Sequence, residues 1–179
     1  SLGRGGSELC IRDRCVPKAL LTTAGTHALE MTALLLNLEP GDEIIVSPIS
    51  DYGSIAGALF ENYIPVFVDT LPGTALIDPA AIEAGITDRT RAIIAVHKLG
   101  VPCDMDAIMA IARQHDLLVV EDAAHAIGSE YKGRKVGSLG DVTCFSFYAT
   151  KNLATAEGGM AVTDSEEWAA RMRVLTMYG

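Results

Sequence analysis

The sequence holds no cluster of lysine or arginine. Its 14 basic residues are scattered among 23 acidic ones, for a net charge of −9, and that balance offers no electrostatic footprint to a nucleic-acid backbone or an anionic membrane surface. Neither partner is expected. Long apolar runs are missing as well: no segment approaches the roughly 18 residues of a membrane span, and the opening Ser1-Leu2-Gly3-Arg4-Gly5-Gly6 has no apolar secretory core. A cytoplasmic location is the expectation. Cysteine is scarce, and Cys10, Cys15, Cys103 and Cys144 form neither a CxxC pair nor a zinc-knuckle pattern. Free thiols are expected in place of a disulfide framework, and no metal site. The G-x-G-x-x-G fingerprint is also absent, which argues against a nicotinamide-dependent dehydrogenase.

What is present is an ordinary globular composition, 49% hydrophobic and 21% charged over 179 residues, enough for one domain with a substantial core. Residues 1–14 are Gly/Arg-rich and non-periodic, and they read as a leader outside the fold, resembling translated adapter sequence. From Lys18 onward, apolar β-rich runs at 19–22, 43–46, 65–68, 92–96, 117–120 and 142–147 alternate with helical patterns, and most of these strands read as buried on both faces. Met105, Ile108, Met109 and Ala112 share one helix face, with Asp104 placed to cap it, and Leu29, Ala33 and Leu36 form a second stripe. Repeated βα units predict a three-layer α/β/α domain with a mainly parallel sheet, whose ligands gather beyond the carboxyl ends of the strands. The short, Gly-led segment 158–163 is the candidate for an antiparallel strand.

Three strand ends carry candidate chemistry. After the first strand, Thr22-Thr23-Ala24-Gly25-Thr26-His27 opens directly into a helix. Its free amides, the helix dipole and the Thr26 hydroxyl suit an anion, although a plain capped helix would look the same. After the fifth, Glu121-Asp122-Ala123-Ala124-His125 brings two carboxylates and an imidazole to the sheet edge. A carboxylate there can hold a cationic ring nitrogen, ligate a metal or cap a turn. After Phe145-Ser146-Phe147 comes Lys151, and partial burial favours the neutral amine that Schiff-base chemistry needs. Together these ends supply the phosphate cradle, ring counter-ion and aldehyde-binding amine that pyridoxal 5'-phosphate (PLP) requires. A metal site on His97, Cys103 and Asp104 competes only if Cys103 and Asp104 are not the loop and cap residues they resemble. His27 and His115 read as solvated helix positions.

Several spaced motifs in one order, Ala24-Gly25-Thr26-His27-Ala28-Leu29, Pro40-Gly41-Asp42-Glu43, Pro65-Val66-Phe67-Val68-Asp69, Val96-His97, Glu121-Asp122-Ala123-Ala124-His125 and Phe145-Ser146-Phe147 leading to Lys151-Asn152, resemble the DegT-DnrJ-StrS sugar aminotransferases. The resemblance implies that residues 15–179 are most of the large, PLP-binding domain of the aspartate-aminotransferase type (fold type I), without a smaller C-terminal domain. It implies Lys151 as the Schiff-base lysine, Asp122 on the pyridine nitrogen, Gly25, Thr26 and Ser146 on the phosphate, His125 near the cofactor's phenolic oxygen, and His97 near the ring or substrate. An aromatic residue stacks on the cofactor in such enzymes. Here Asp51 occupies the aligned position, so Tyr52 is expected to stack from one residue away, while Tyr148 stands where many relatives carry His. The implied reaction moves an amino group from an amino acid, glutamate by resemblance, to a keto sugar nucleotide, in a homodimer with shared active sites. A non-catalytic or regulatory PLP-binding member of the family is the alternative. Lys151 argues against the dehydratases among these relatives, which lose that lysine.

Overall fold

The computed structural model describes residues 18–176. The expected leader at 1–14, together with Cys10 and Cys15, lies outside the described residues. A seven-stranded sheet forms the centre, built from β1 (Lys18–Thr22), β2 (Glu43–Val46), β3 (Ile64–Phe67), β4 (Thr90–Val96), β5 (Leu118–Asp122), β8 (Val142–Ser146) and β9 (Gly159–Thr163), in the order β1-β9-β8-β5-β4-β2-β3. Pairing is parallel from β3 through to β8, and β9 runs antiparallel to both β8 and β1. β1 therefore points the same way as the others, so its carboxyl end opens on the same edge. The remaining strands, β6 (Glu130–Tyr131) and β7 (Arg134–Lys135), make a separate small hairpin.

Helices cover both faces. One face carries Ile44, Val46, Ala92, Ile94, Val120, Val142 and Cys144 against α1 (Gly25–Leu36), α2 (Gly53–Phe60) and α5 (Glu166–Thr176). The opposite face carries Ile45, Ile93, Val119 and Phe145 against α3 (Pro79–Gly85) and α4 (Met105–His115). The alternation follows from the two-residue period of a strand. In α4, Met105, Ile108 and Ala112 are buried as expected, Met109 is half-buried, and the Asp104 carboxylate accepts the Ala107 N–H at 3.3 Å as the cap. Cys103 and Cys144 are free and buried, and burial pushes the Cys144 thiol up to about 12, leaving it unreactive.

Two strands are less buried than their sequences imply. β3 lies at the sheet edge, which tolerates Pro65 because the missing N–H faces no partner. β1 is half-buried at the other edge. β5 runs to Asp122, two residues beyond the predicted end, so Glu121 and Asp122 belong to the strand and point to opposite faces. Glu121 is fully buried on the α4 side. Its carboxylate accepts the Thr143 hydroxyl at 2.6 Å, the Gly140 N–H at 2.9 Å, the Leu139 N–H at 3.3 Å and His97 Nε2–H at 2.9 Å. The imidazole tautomer is set by its other nitrogen, because His97 Nδ1 accepts the Cys103 N–H at 3.2 Å.

Burial alone would push the Glu121 carboxyl up, but the donors from His97, Thr143 and Gly140 outweigh it and hold the group below the usual carboxylate range. Its stabilising contribution is therefore present above about pH 4.5 and is lost as pH falls through the depressed native value. Glu121→Ala should cost about 3–5 kcal/mol in urea unfolding, because several buried donors lose their acceptor at once. A change within 1 kcal/mol, about the worth of one ordinary hydrogen bond, would remove the carboxylate from this role.

Candidate active site

The sheet's carboxyl edge holds a cavity of about 400 Å³ lined by residues from four elements and their loops, among them Gly25, Thr26, Ser54, Asp122, Ser146 and Lys151. That volume lies in the range of small-molecule sites. A recess of about 80 Å³ shares Asp51, Ser54, Asp122, Ala124 and Lys151 with it and adds His97, Lys98 and His125. A larger cavity of about 780 Å³ beside α1 and α5 contains neither Asp122 nor Lys151. Convergence of titratable groups, rather than size, marks the smaller one as the site.

The N-terminus of α1 forms one wall. Its cap residue is Ala24, whose side chain caps nothing, and the first turn contains no acidic residue. The leading amides and the positive end of the dipole are left for an external anion. Gly25 is required by contact: a Cβ there would stand 2.5 Å from Ser146 Cβ and 2.9 Å from Ser146 Oγ. Only glycine lets the helix start press against the end of β8. Ser146 Oγ accepts the Tyr148 N–H at 3.4 Å, and its own proton remains available to a ligand.

Asp122, 5% exposed, lies at the end of β5 on the α1 side. Ser54 Oγ donates to its Oδ2 at 2.6 Å, and the Ala124 N–H donates to its Oδ1 at 3.1 Å. Two donors fix the carboxylate's rotation, and its lone pairs are not exhausted, so it can take a further donor or cation from the cavity.

Lys151 enters from the turn after β8, closed by the Lys151 N–H to the Tyr148 carbonyl at 2.9 Å. Its ammonium lies 2.9 Å from His125 Nε2. His125 is depressed below its ordinary value, first by burial and then by the positive charges of Lys151 and Lys98. A neutral ring accepts from the lysine through Nε2 and keeps its own proton on Nδ1. The side chain of Asn152 holds the His125 carbonyl at 2.9 Å.

Of the residues expected from sequence, Gly25, Thr26, Asp122, Ser146 and Lys151 line the main cavity, and His125 and His97 line the recess. Tyr52 lines neither; it is 61% exposed at the start of α2, while Asp51 beside it faces the site. Ser54, Asp51 and Lys98 were not anticipated. Ser54 was detectable in principle, since it lies in the first turn of the helix that follows a parallel strand, close to the strand ends where ligand-facing groups collect. His97, Cys103 and Asp104 do not converge on a metal: His97 is bonded to Glu121 and the Cys103 N–H, the Cys103 thiol donates to the Val96 carbonyl at 3.2 Å, and Asp104 caps α4. His27 is exposed and bonded to Thr23, and His115 pairs with Glu83 at 3.1 Å.

The groups fit PLP: unspent amides and a hydroxyl for a phosphate, an oriented carboxylate for a ring nitrogen, and an amine for an aldehyde. Residues 14–179 match the DegT/DnrJ/EryC1/StrS aminotransferase family. The spore coat polysaccharide biosynthesis protein SpsC of Bacillus subtilis is 48% identical over 90% of this chain and 41% of its own length. GDP-perosamine synthase of Caulobacter vibrioides is 44% identical over 96% of this chain and 47% of its own. The solved PLP-form of Spr1654 from Streptococcus pneumoniae superposes with a TM-score of 0.92 at 32% identity, over 97% of this chain and 50% of that one. The chain thus spans less than half the length of these curated relatives. It belongs to the DegT/DnrJ/EryC1/StrS aminotransferase family and carries the α/β/α sheet of the fold type I aminotransferases.

Proposed function

We propose that this chain is the cofactor-binding part of a PLP-dependent transaminase that passes an amino group from an amino acid, glutamate, to a keto sugar nucleotide. One observation carries the reading: an amine, an oriented carboxylate and an uncapped helix N-terminus face a single cavity of about 400 Å³. The sugar substrate draws its support from the relatives, one named for GDP-perosamine and one for spore coat polysaccharide. A cytoplasmic location and a homodimer with shared active sites belong to the same proposal. Among the described residues, no helix is long and apolar enough to cross a membrane.

When bound, PLP would supply an aldehyde for covalent attachment and a ring able to take up electron density from a substrate carbon. The chain's own groups have separable tasks. Gly25 and Thr26 at the start of α1, with Ser146, would hold the phosphate. Asp122, kept in one orientation by Ser54 and Ala124, would keep a ring nitrogen protonated, an electrostatic effect strengthened by its burial. Lys151 would attach the cofactor and, when released, carry the proton removed from the donor's α-carbon. His125, neutral, gives the lysine a partner that adds no competing positive charge. Tyr52 would act in stacking only by turning in from its exposed position.

Three outcomes are expected. Borohydride treatment of the PLP-loaded protein followed by peptide mapping should find the label on Lys151, and a label elsewhere would displace it from its role. Glutamate should convert bound PLP to the pyridoxamine form, with Asp122→Asn slowing that conversion by roughly 10²–10³-fold while cofactor still binds. An unchanged rate removes Asp122 from the chemistry, and no conversion in the parent protein leaves a binding-only scaffold. The rate should also fall on the acid side with an apparent pKa below 6.5, as His125 takes up a proton and repels Lys151. His125→Gln, which cannot titrate, should flatten that limb. Stability has the same sign: the unfolded chain takes this proton first as pH falls through 6.5, so the native state loses ground on acidification.

A further inference from the structure

After β4 the chain makes a single tight turn, Lys98–Gly100, with Leu99 at φ 53°, a conformation that side-chain-bearing residues rarely adopt and that the surroundings must enforce. Four contacts enforce it. The His97 N–H donates to the Asp122 carbonyl at 3.0 Å, His97 Nδ1 accepts the Cys103 N–H, and Ser129 Oγ donates to the Gly100 carbonyl at 2.7 Å. Gly100 itself packs onto the backbone of His125, where a Cβ would stand 2.8 Å from the His125 carbonyl oxygen. The turn is thereby clamped to the segment that bears His125. Leu99 is sent outward, 75% exposed, and Lys98 stays half-buried on the recess that shares five lining residues with the main cavity.

Lys18, Lys132 and Lys135 each have a carboxylate within 2.8 Å, whereas Lys98 and Lys151 have no ion pair among the described residues, and of these two only Lys151 has a side-chain partner, His125 Nε2 at 2.9 Å. Two carboxylates share its recess, and both have other partners: Asp122 accepts from Ser54 and Ala124, and Asp51 Oδ1 accepts the Gly53 N–H at 2.9 Å. Lys98 is near enough to His125 to depress its protonation together with Lys151. A strained turn thus presents a second ammonium to the recess that Lys151 also lines. At about 80 Å³ the recess admits a small anionic group, and it is far below the few hundred Å³ of a site for a whole sugar nucleotide.

We infer that Lys98 recognises a carboxylate of the amino-acid substrate, through a charge-assisted hydrogen bond in the recess beside His125 and Asp122. The inference rests on the transaminase reading, in which Lys151 is taken by the cofactor and Lys98 is the cation left to the donor. It assigns donor selection to this turn. The keto sugar nucleotide, whose charges lie on its diphosphate, does not use it.

The test uses the full PLP-loaded chain with Lys98→Gln and Lys98→Arg. Lys98→Gln should raise the half-saturating glutamate concentration of the half-reaction about 10- to 100-fold, leave the KM of the keto sugar nucleotide unchanged, and keep the borohydride label on Lys151. Lys98→Arg should recover part of the loss. Glutarate, a dicarboxylate with no amine to transfer, should bind the loaded parent protein by calorimetry and bind Lys98→Gln correspondingly more weakly. Unchanged glutamate and glutarate affinities overturn the inference while the transaminase reading stands, and so does a rise confined to the KM of the sugar nucleotide, which would give Lys98 to the diphosphate. A parent protein that glutamate does not convert overturns both.

Discussion

Neighbouring residues on a buried strand must face opposite ways, and the arrangement of this site depends on that constraint at Glu121 and Asp122. The two carboxylates are adjacent in sequence, yet one is enclosed on the α4 face by His97, Thr143, Gly140 and Leu139, and the other opens toward α1 with Ser54 and Ala124. Each has a distinct consequence. Glu121 reaches the residue just after β4 through His97 and β8 through Thr143, so it ties the ends of neighbouring parallel strands together at the edge where the loops must be placed accurately. Asp122 then emerges at a point set by that tie, which is how one charge can be oriented without being neutralised.

The charges around the cavity follow from the same geometry. α1 brings the positive end of its dipole with no acidic residue to offset it, and Lys98 and Lys151 add two cations. Against them stand Asp51, Asp122 and Glu157. In a chain with a net charge of −9, and with these three carboxylates at the cavity, an anionic ligand is favoured only at the spots where an ammonium or the helix amides stand, not over the cavity as a whole. Phosphate and carboxylate ligands are the kind such a site collects, and their places differ. The helix start suits the phosphate, because several amides can point at one anion, while a single ammonium suits a carboxylate.

Much of this was legible from residues alone, for physical reasons. Periodicity located the strands at 43–46 and 92–96 almost to the residue, because buried parallel strands are written as continuous apolar runs. The rule that ligands sit beyond strand ends led to Gly25 and Thr26, to the Glu121–Asp122 pair and to Lys151, and the family resemblance chose Asp122 and added Ser146; Gly25, Thr26, Asp122, Ser146 and Lys151 meet in one cavity. What sequence could not show was long-range register. That β3 is an edge strand, that Ser54 lies against Asp122 across 68 positions of sequence, and that Tyr52 turns outward while Asp51 turns in are consequences of how distant loops settle on one another. Strand ends were also short by up to two residues at β5, because an acidic pair looks like the start of a loop until its hydrogen-bond partners are known.

The residues of the site divide by the stiffness of what carries them. Gly25 and Thr26 open a helix, and Asp122 and Ser146 end strands in the middle of the sheet; these positions are held by backbone ladders and by a core packed on both sides. A group that must be met in the same geometry at every turnover belongs there. Lys98, Asp51 and Lys151 lie on turns, where side chains can be re-aimed at little cost to the sheet. Among these, the turn of Lys98 is the exception, since its left-handed Leu99 and its clamp against His125 give it the rigidity of a strand end. Backbone strain fixed by so many separate contacts indicates that the position of this turn, and of the ammonium it carries, matters to what the cavity binds.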